Sequence, residues 1–219
     1  MRSKRNITDA LKIVIKEFDN FQKNLNGKKF LVIYRDRNTN ILDYIEIKIE
    51  GSNYYHLTGL AYKEDNGNKE DRVPYASRFY SELVDKKLSA KSLKFKDNNS
   101  QLKLWVLPSI MKYFQYSKMI GNFNESGIEL KLDKVIGSTS VCLGLKKISR
   151  KMYAPASSLY GDTRKKAKQI HQVIAIFEKE SEEKYEKIKY VAKGQNLHSQ
   201  KYSDELSKLF SLKLYNIDK

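Results

Sequence analysis

Between Ile7 and Leu25 apolar residues return every three or four positions, at Leu11, Ile15, Phe18, Phe21 (with Val14) and Leu25. That spacing predicts an amphipathic helix over residues 7–25, with Asn6 or Thr8 as N-cap and Asn26-Gly27 as its stop. The period then shortens to two. Lys29–Arg35 is rich in β-branched and aromatic residues, Asp36–Asn40 has turn chemistry, and Ile41–Ile49 alternates. A hairpin over 29–49 follows, which delivers the chain to Gly51. Residues 63–73 read as a polar surface loop, Tyr75 to about Lys87 as a helix, and Gln101–Tyr113 as a buried helix that includes Trp105 and is started or kinked by Pro108. Short apolar runs at 114–120, 128–132, 138–145 and 150–154 predict an antiparallel meander over 114–158. From Asp162, apolar positions at Ile170, Val173, Ile174, Phe177, Tyr185 and Ile188 fit one face of a long charged helix to about Lys193, and Ser203–Leu214 fits a last one. The expected class is α+β, an antiparallel sheet packed against helices. Residues 1–161 form the main domain and residues 162–219 a basic C-terminal helical extension.

Composition adds a partner. The chain of 219 residues carries a formal charge of +16, with 42 Lys and Arg against 26 Asp and Glu. Such an excess favours a polyanion, either nucleic acid (RNA first) or a nucleic-acid-bound host protein complex. The rich content of Lys, Asn, Ile and Tyr also fits an AT-rich genome. A single cysteine, Cys142, excludes an intrachain disulfide and a thiolate zinc cluster. With no apolar run of membrane-spanning length and no signal-like start, the expectation is a cytoplasmic protein without membrane contact. Oligomeric state is not legible.

Chemistry is narrowed by absence of motifs. Gly137-Ser-Thr-Ser lacks the lysine of a phosphate loop, and the histidines at 56, 171 and 198 do not have metal-ligand spacing. No metal or cofactor is expected. Metal-free acid–base chemistry at RNA phosphodiesters remains, and it needs a base, an acid, and cations or hydroxyls around the phosphorane. His56, next to two tyrosines and a threonine between Gly51 and Gly59, is suited to either proton-transfer role near neutral pH. A structural histidine bonded to backbone has the same appearance. His171 and His198 read as incidental.

The segment Tyr54-Tyr-His-Leu-Thr-Gly-Leu60 resembles the "F-x-HLTG" motif of a phage-encoded family classed with the barnase–EndoU–colicin–RelE-like (BECR) nucleases. Further pieces follow in order: Phe79-Tyr80, Lys103-Leu104, Ile120-Gly121-Asn122, Asp133–Gly137, Leu143-Gly144-Leu145 and Tyr153–Leu159. The resemblance spans roughly residues 28–165. It implies a BECR-like fold, catalysis by His56, Thr58 and a hydroxyl from Ser157 or Ser158, and phosphate contacts from Lys103 and Arg150. Ala156-Ser157 stands where an Asn-Thr-like pair is expected. Lys151, Arg164, Lys165 and Lys168 add basic charge suited to a phosphate backbone, although such a run is also an ordinary wet face. Bland readings stand beside each role. Thr58 shapes a turn, the serines cap or lie in a loop, Lys103 is a solvated helix-start lysine, and Trp105 is core.

The sequence therefore supports a phage or mobile-element, metal-independent RNase-like protein. The alternative is a non-catalytic basic phage protein that binds nucleic acid or inhibits a host nucleic-acid-guided defence complex. A third option is a virion-associated protein that oligomerises through its C-terminal helices.

Overall fold

The computed structural model describes residues 5–64, 69–124, 131–180 and 183–212. Helix α1 (Ile7–Asn24) is capped by the Asn6 side chain, which accepts from the Asp9 N–H at 2.8 Å, and it buries Ala10, Leu11, Val14, Phe18 and Phe21 on one face. Strands β1 (Lys29–Arg35) and β2 (Leu42–Lys48) form the hairpin, in register from Lys29↔Lys48 to Arg35↔Leu42. Next come α2 (Asn53–Thr58), β3 (Leu60–Tyr62), α3 (Lys69–Val84), β4 (Leu93–Phe95) and α4 (Ser100–Tyr113). β3 and β4 pair as a separate small sheet. Pro74 and Pro108 lie inside α3 and α4. The meander is β5 (Met119–Phe123), β6 (Lys134–Gly137), β7 (Val141–Lys147) and β8 (Met152–Tyr160), each antiparallel to the next. The run expected as a strand at 128–132 is not β6, which starts at Lys134; residues 128–130 lie outside the described residues.

After residue 160 the expectation of helices fails. Asp162 does cap a helix, but α5 (Thr163–Lys166) has a single turn. It leads into β9 (Ala167–Lys179) and β10 (Lys187–Val191), and the last helix is the short α6 (Asp204–Ser207); residues 213 and 214 lie outside the described residues. Among the described residues no C-terminal helical extension forms. The reason is burial on both faces. Val173 and Ile176 join the main core, whereas Ile174, Ala175 and Phe177 pack under Tyr185, Leu197, Leu206 and Phe210. A strand covered on both sides has a nearly continuous apolar run, and its i, i+3, i+4, i+7 subset imitates a helix.

β9 also decides the architecture. It pairs antiparallel with β1 along one edge and with β5, then β10, along the other. The order β1-β2-β8-β7-β6-β5-β9 thus closes on itself as a seven-stranded barrel, with β10 attached outside the ring. The sheet is mixed, because β2 and β8 run parallel, at Glu46↔Met152 and Ile47↔Tyr153. All seven strands send residues into one cluster, among them Phe30, Ile45, Tyr153, Leu143, Ile136, Ile120 and Val173, and helices α1 to α4 pack into it. That shared face is the inner one. The outer face carries two smaller clusters, one under the C-terminal segment and one around Val135, Cys142 and Leu159.

Candidate active site

The chain leaves β2 and turns at Gly51, where an added Cβ would stand 2.5 Å from the Tyr80 ring of α3. Aromatic anchors then fix α2. Tyr54 is fully buried and its hydroxyl donates to the Val14 carbonyl at 2.7 Å. Tyr55 packs on Phe79, ring centroids 5.1 Å apart. His56 is half-buried, with its ring edge-on to Tyr55 at 5.5 Å. Thr58 is fully buried; its hydroxyl donates to the Tyr55 carbonyl at 3.0 Å and accepts from the Leu60 N–H at 3.2 Å. Gly59 ends the helix at φ 74°, in the left-handed region. A Cβ there would lie 2.9 Å from Ser100 Cα and 3.1 Å from Lys103 Cδ, so only glycine lets α4 approach this closely.

Lys103 fills the space above Gly59. It is 5% exposed, and its ammonium makes no ion pair or hydrogen bond among the described residues. Burial holds its pKa below the ordinary lysine value, with Asp97 opposing and Lys96 reinforcing the effect. An uncompensated buried cation is costly and marks a place where an anion is missing.

α2 and α4 both pack on β8, which brings the two serines into view. Ser158 pairs with Leu143 and shares its inward, helix-facing side; Ser157 pairs with Gly144, whose outer side is covered by Leu132. Both are buried to 1% exposure or less, and neither hydroxyl has a hydrogen-bond partner among the described residues. The change of side arises at a bulge. Leu145 pairs with Pro155 but Gly144 with Ser157, which leaves Ala156 as the extra residue.

His56, Thr58, Lys103 and Ser158 thus stand on three elements that pack on one another, α2, α4 and β8, whereas Ser157 faces the other side of its strand. Arg150 and Lys151 precede β8, at its opposite end from Ser158. Six residue steps of strand separate Met152 from Ser158, about 20 Å. Arg150 is exposed, and Lys151 is committed to Asp43 at 2.6 Å. Arg164 is held by Asp162 at 2.6 Å; Lys165 and Lys168 are exposed. Trp105 is 38% exposed rather than core, and it meets Tyr160 edge-on at 5.0 Å. His171, passed over in the sequence, is buried to 6% exposure beside Tyr34, ring centroids 5.2 Å apart. Only its place on a strand identifies it, since alternation puts it on the face of Val173.

A family model described as phage-Barnase-EndoU-ColicinE5/D-RelE like nuclease4 matches residues 13–194, from within α1 to beyond β10. The chain belongs to this nuclease family. No curated protein and no solved structure gives a significant match. The span of the phage nuclease4 family match includes β9, in agreement with its place in the ring, and it includes all ten residues singled out from the sequence. Among the described residues, no helix is long and apolar enough to cross a membrane.

Proposed function

We propose that this member of the BECR-like nuclease family is a metal-independent endoribonuclease whose site lies where α2, α4 and β8 meet. The observation that carries the reading is Lys103, buried against the Thr58-Gly59 turn with no partner for its ammonium among the described residues. A bound phosphodiester supplies the missing anion. His56 takes the proton of the RNA 2′-hydroxyl, and that oxygen attacks phosphorus. Lys103 faces the negative charge that grows on the phosphorane, and it hands a proton to the departing 5′-oxygen, a transfer helped by its lowered pKa. The Ser158 hydroxyl donates to a non-bridging oxygen. The 2′-O–P bond forms as the P–O5′ bond breaks, leaving a 2′,3′-cyclic phosphate and a free 5′-hydroxyl. Thr58 positions: both sides of its hydroxyl are used by backbone, so it holds the turn that seats Lys103.

The test is RNA cleavage in EDTA, with the product ends identified. Cyclic-phosphate ends are expected, and His56→Ala and Lys103→Met should each slow cleavage by about 100-fold or more. Wild-type rates in both variants would refute the site. Full burial of Thr58 and Ser158 favours the second reading, a non-catalytic nucleic-acid binder or inhibitor of a guide-directed defence complex. That reading predicts RNA binding with no cleavage at all.

A further inference from the structure

A second cluster of charge lies away from the helices, at the β1–β2 turn. A cavity of about 400 Å³ opens there, lined among others by Arg35, Arg37, Lys118 and His171. Among the described residues its arginines and lysine have no counter-ion within ion-pair distance. The Arg35 guanidinium is held in place by neutral acceptors only: the Asn40 carbonyl at 3.2 Å, Gln200 Oε1 at 2.8 Å and Gln195 Oε1 at 3.4 Å. Arg37 and Lys118 are exposed and form no side-chain hydrogen bond or ion pair among the described residues. The carboxylate at the cavity, Asp36, already accepts from the Asn38 and Thr39 N–H groups at 2.8 and 3.0 Å.

His171 ties this cavity to the polar end of the barrel interior. Its Nδ1 accepts from the Arg37 N–H at 3.2 Å, so the neutral ring carries its proton on Nε2, which has no partner among the described residues. The titratable groups facing it are Tyr34, Asp36, Asp43 and Lys134. Tyr34 donates to Asp43 at 3.0 Å, Asp43 also accepts from Lys151, and Lys134 donates to the neutral Asn122 at 2.8 Å. Burial and Lys134 disfavour the imidazolium, while Asp36 and Asp43 favour it. The balance leaves a neutral donor beside fixed positive charge.

We propose that this cavity binds a phosphate group, carried by a nucleotide or by a nucleic-acid strand, between Arg35, Arg37 and Lys118 with His171 beside them. The volume suits one nucleotide, since small-molecule sites begin at roughly 300 Å³. A guanidinium already fixed by neutral amides loses little further freedom when a phosphate arrives.

The wild-type chain provides the first test. The His171 imidazole resonances are followed against pH alone, then with inorganic phosphate, with AMP, and with a short oligodeoxyuridylate that has no 2′-hydroxyl and cannot be cleaved. A bound phosphate raises the His171 pKa, because an anion nearby favours the imidazolium. A shift with all three probes, or with the oligomer alone, assigns the site to a strand. A shift with phosphate and AMP but not the oligomer assigns it to a small phosphate ester. In either case Arg35→Gln and Lys118→Ala should weaken the effective probe about tenfold each. No shift with any probe overturns the proposal. Binding of an uncleavable strand is independent of whether the chain cleaves RNA, so the two readings fail separately.

Discussion

Lys103 and Gly59 depend on each other, and each has its own test. Lys103→Met removes a buried charge that has no partner among the described residues, and keeps most of the length of the side chain. Stability is expected to rise by about 1–2 kcal/mol even as cleavage is lost. The pH dependence has a definite sign. Because the folded pKa is lowered, unfolding gains protons below the ordinary lysine value, so wild-type stability climbs as pH rises towards it. In the methionine variant that alkaline gain should disappear, as read from urea midpoints. At this scale the sequence was legible only in part. The His56-Leu-Thr-Gly59 segment located the turn, and the order of pieces placed Lys103 near it. The choice between Ser157 and Ser158 was not legible, because one bulged residue, Ala156, inverts which side of β8 every later residue faces. A single sequence without its pairing partner does not reveal a bulge.

Among elements, β2 was readable because alternation survives in it, and β1, covered on both faces, because its run is short and ends in turn residues. β9 was not, since both of its faces are covered and its run of 13 residues is long enough for a helix. Glu178 tests how β9 is held. It is 2% exposed and paired with Lys187 at 2.7 Å, Lys28 at 3.5 Å and Lys189 at 3.6 Å, which joins β10 and the start of β1 to its end. Burial pushes its carboxyl up, yet these ammonium groups hold the pKa below the ordinary glutamate value. Stability from this group is therefore complete above the unfolded carboxyl pKa and is lost as pH falls through the lower, folded one. Glu178→Leu takes the buried carboxylate away from Lys28, which keeps Glu180 at 3.7 Å, and from Lys189, and should cost about 3 kcal/mol at neutral pH. It should also flatten the acid limb of a stability–pH profile. An unchanged profile would mean that the lysines are solvated and the pairing is weak.

For the whole molecule, the excess of positive charge sets how any nucleic acid is held. If Lys103, Arg35, Arg37 and Lys118 each meet a phosphate, the logarithm of RNA affinity should fall with the logarithm of salt at a slope of about −3 for single strands. A slope near zero would detach the charge from binding. The α+β class and the family were accessible from the sequence, whereas closure of the sheet was not, because it depends on pairing between strands as far as 150 residues apart in the chain, Lys29 with Lys179. That pairing also sets a schedule. During synthesis β1 is made early, and its open edge has no partner until β9 emerges. Contacts between such distant segments form slowly. The barrel, and with it the cavity at Arg35 and His171, is assembled only after β9 has been made. If the chain cleaves RNA as proposed, the closed barrel that carries the site forms only after β9 is made.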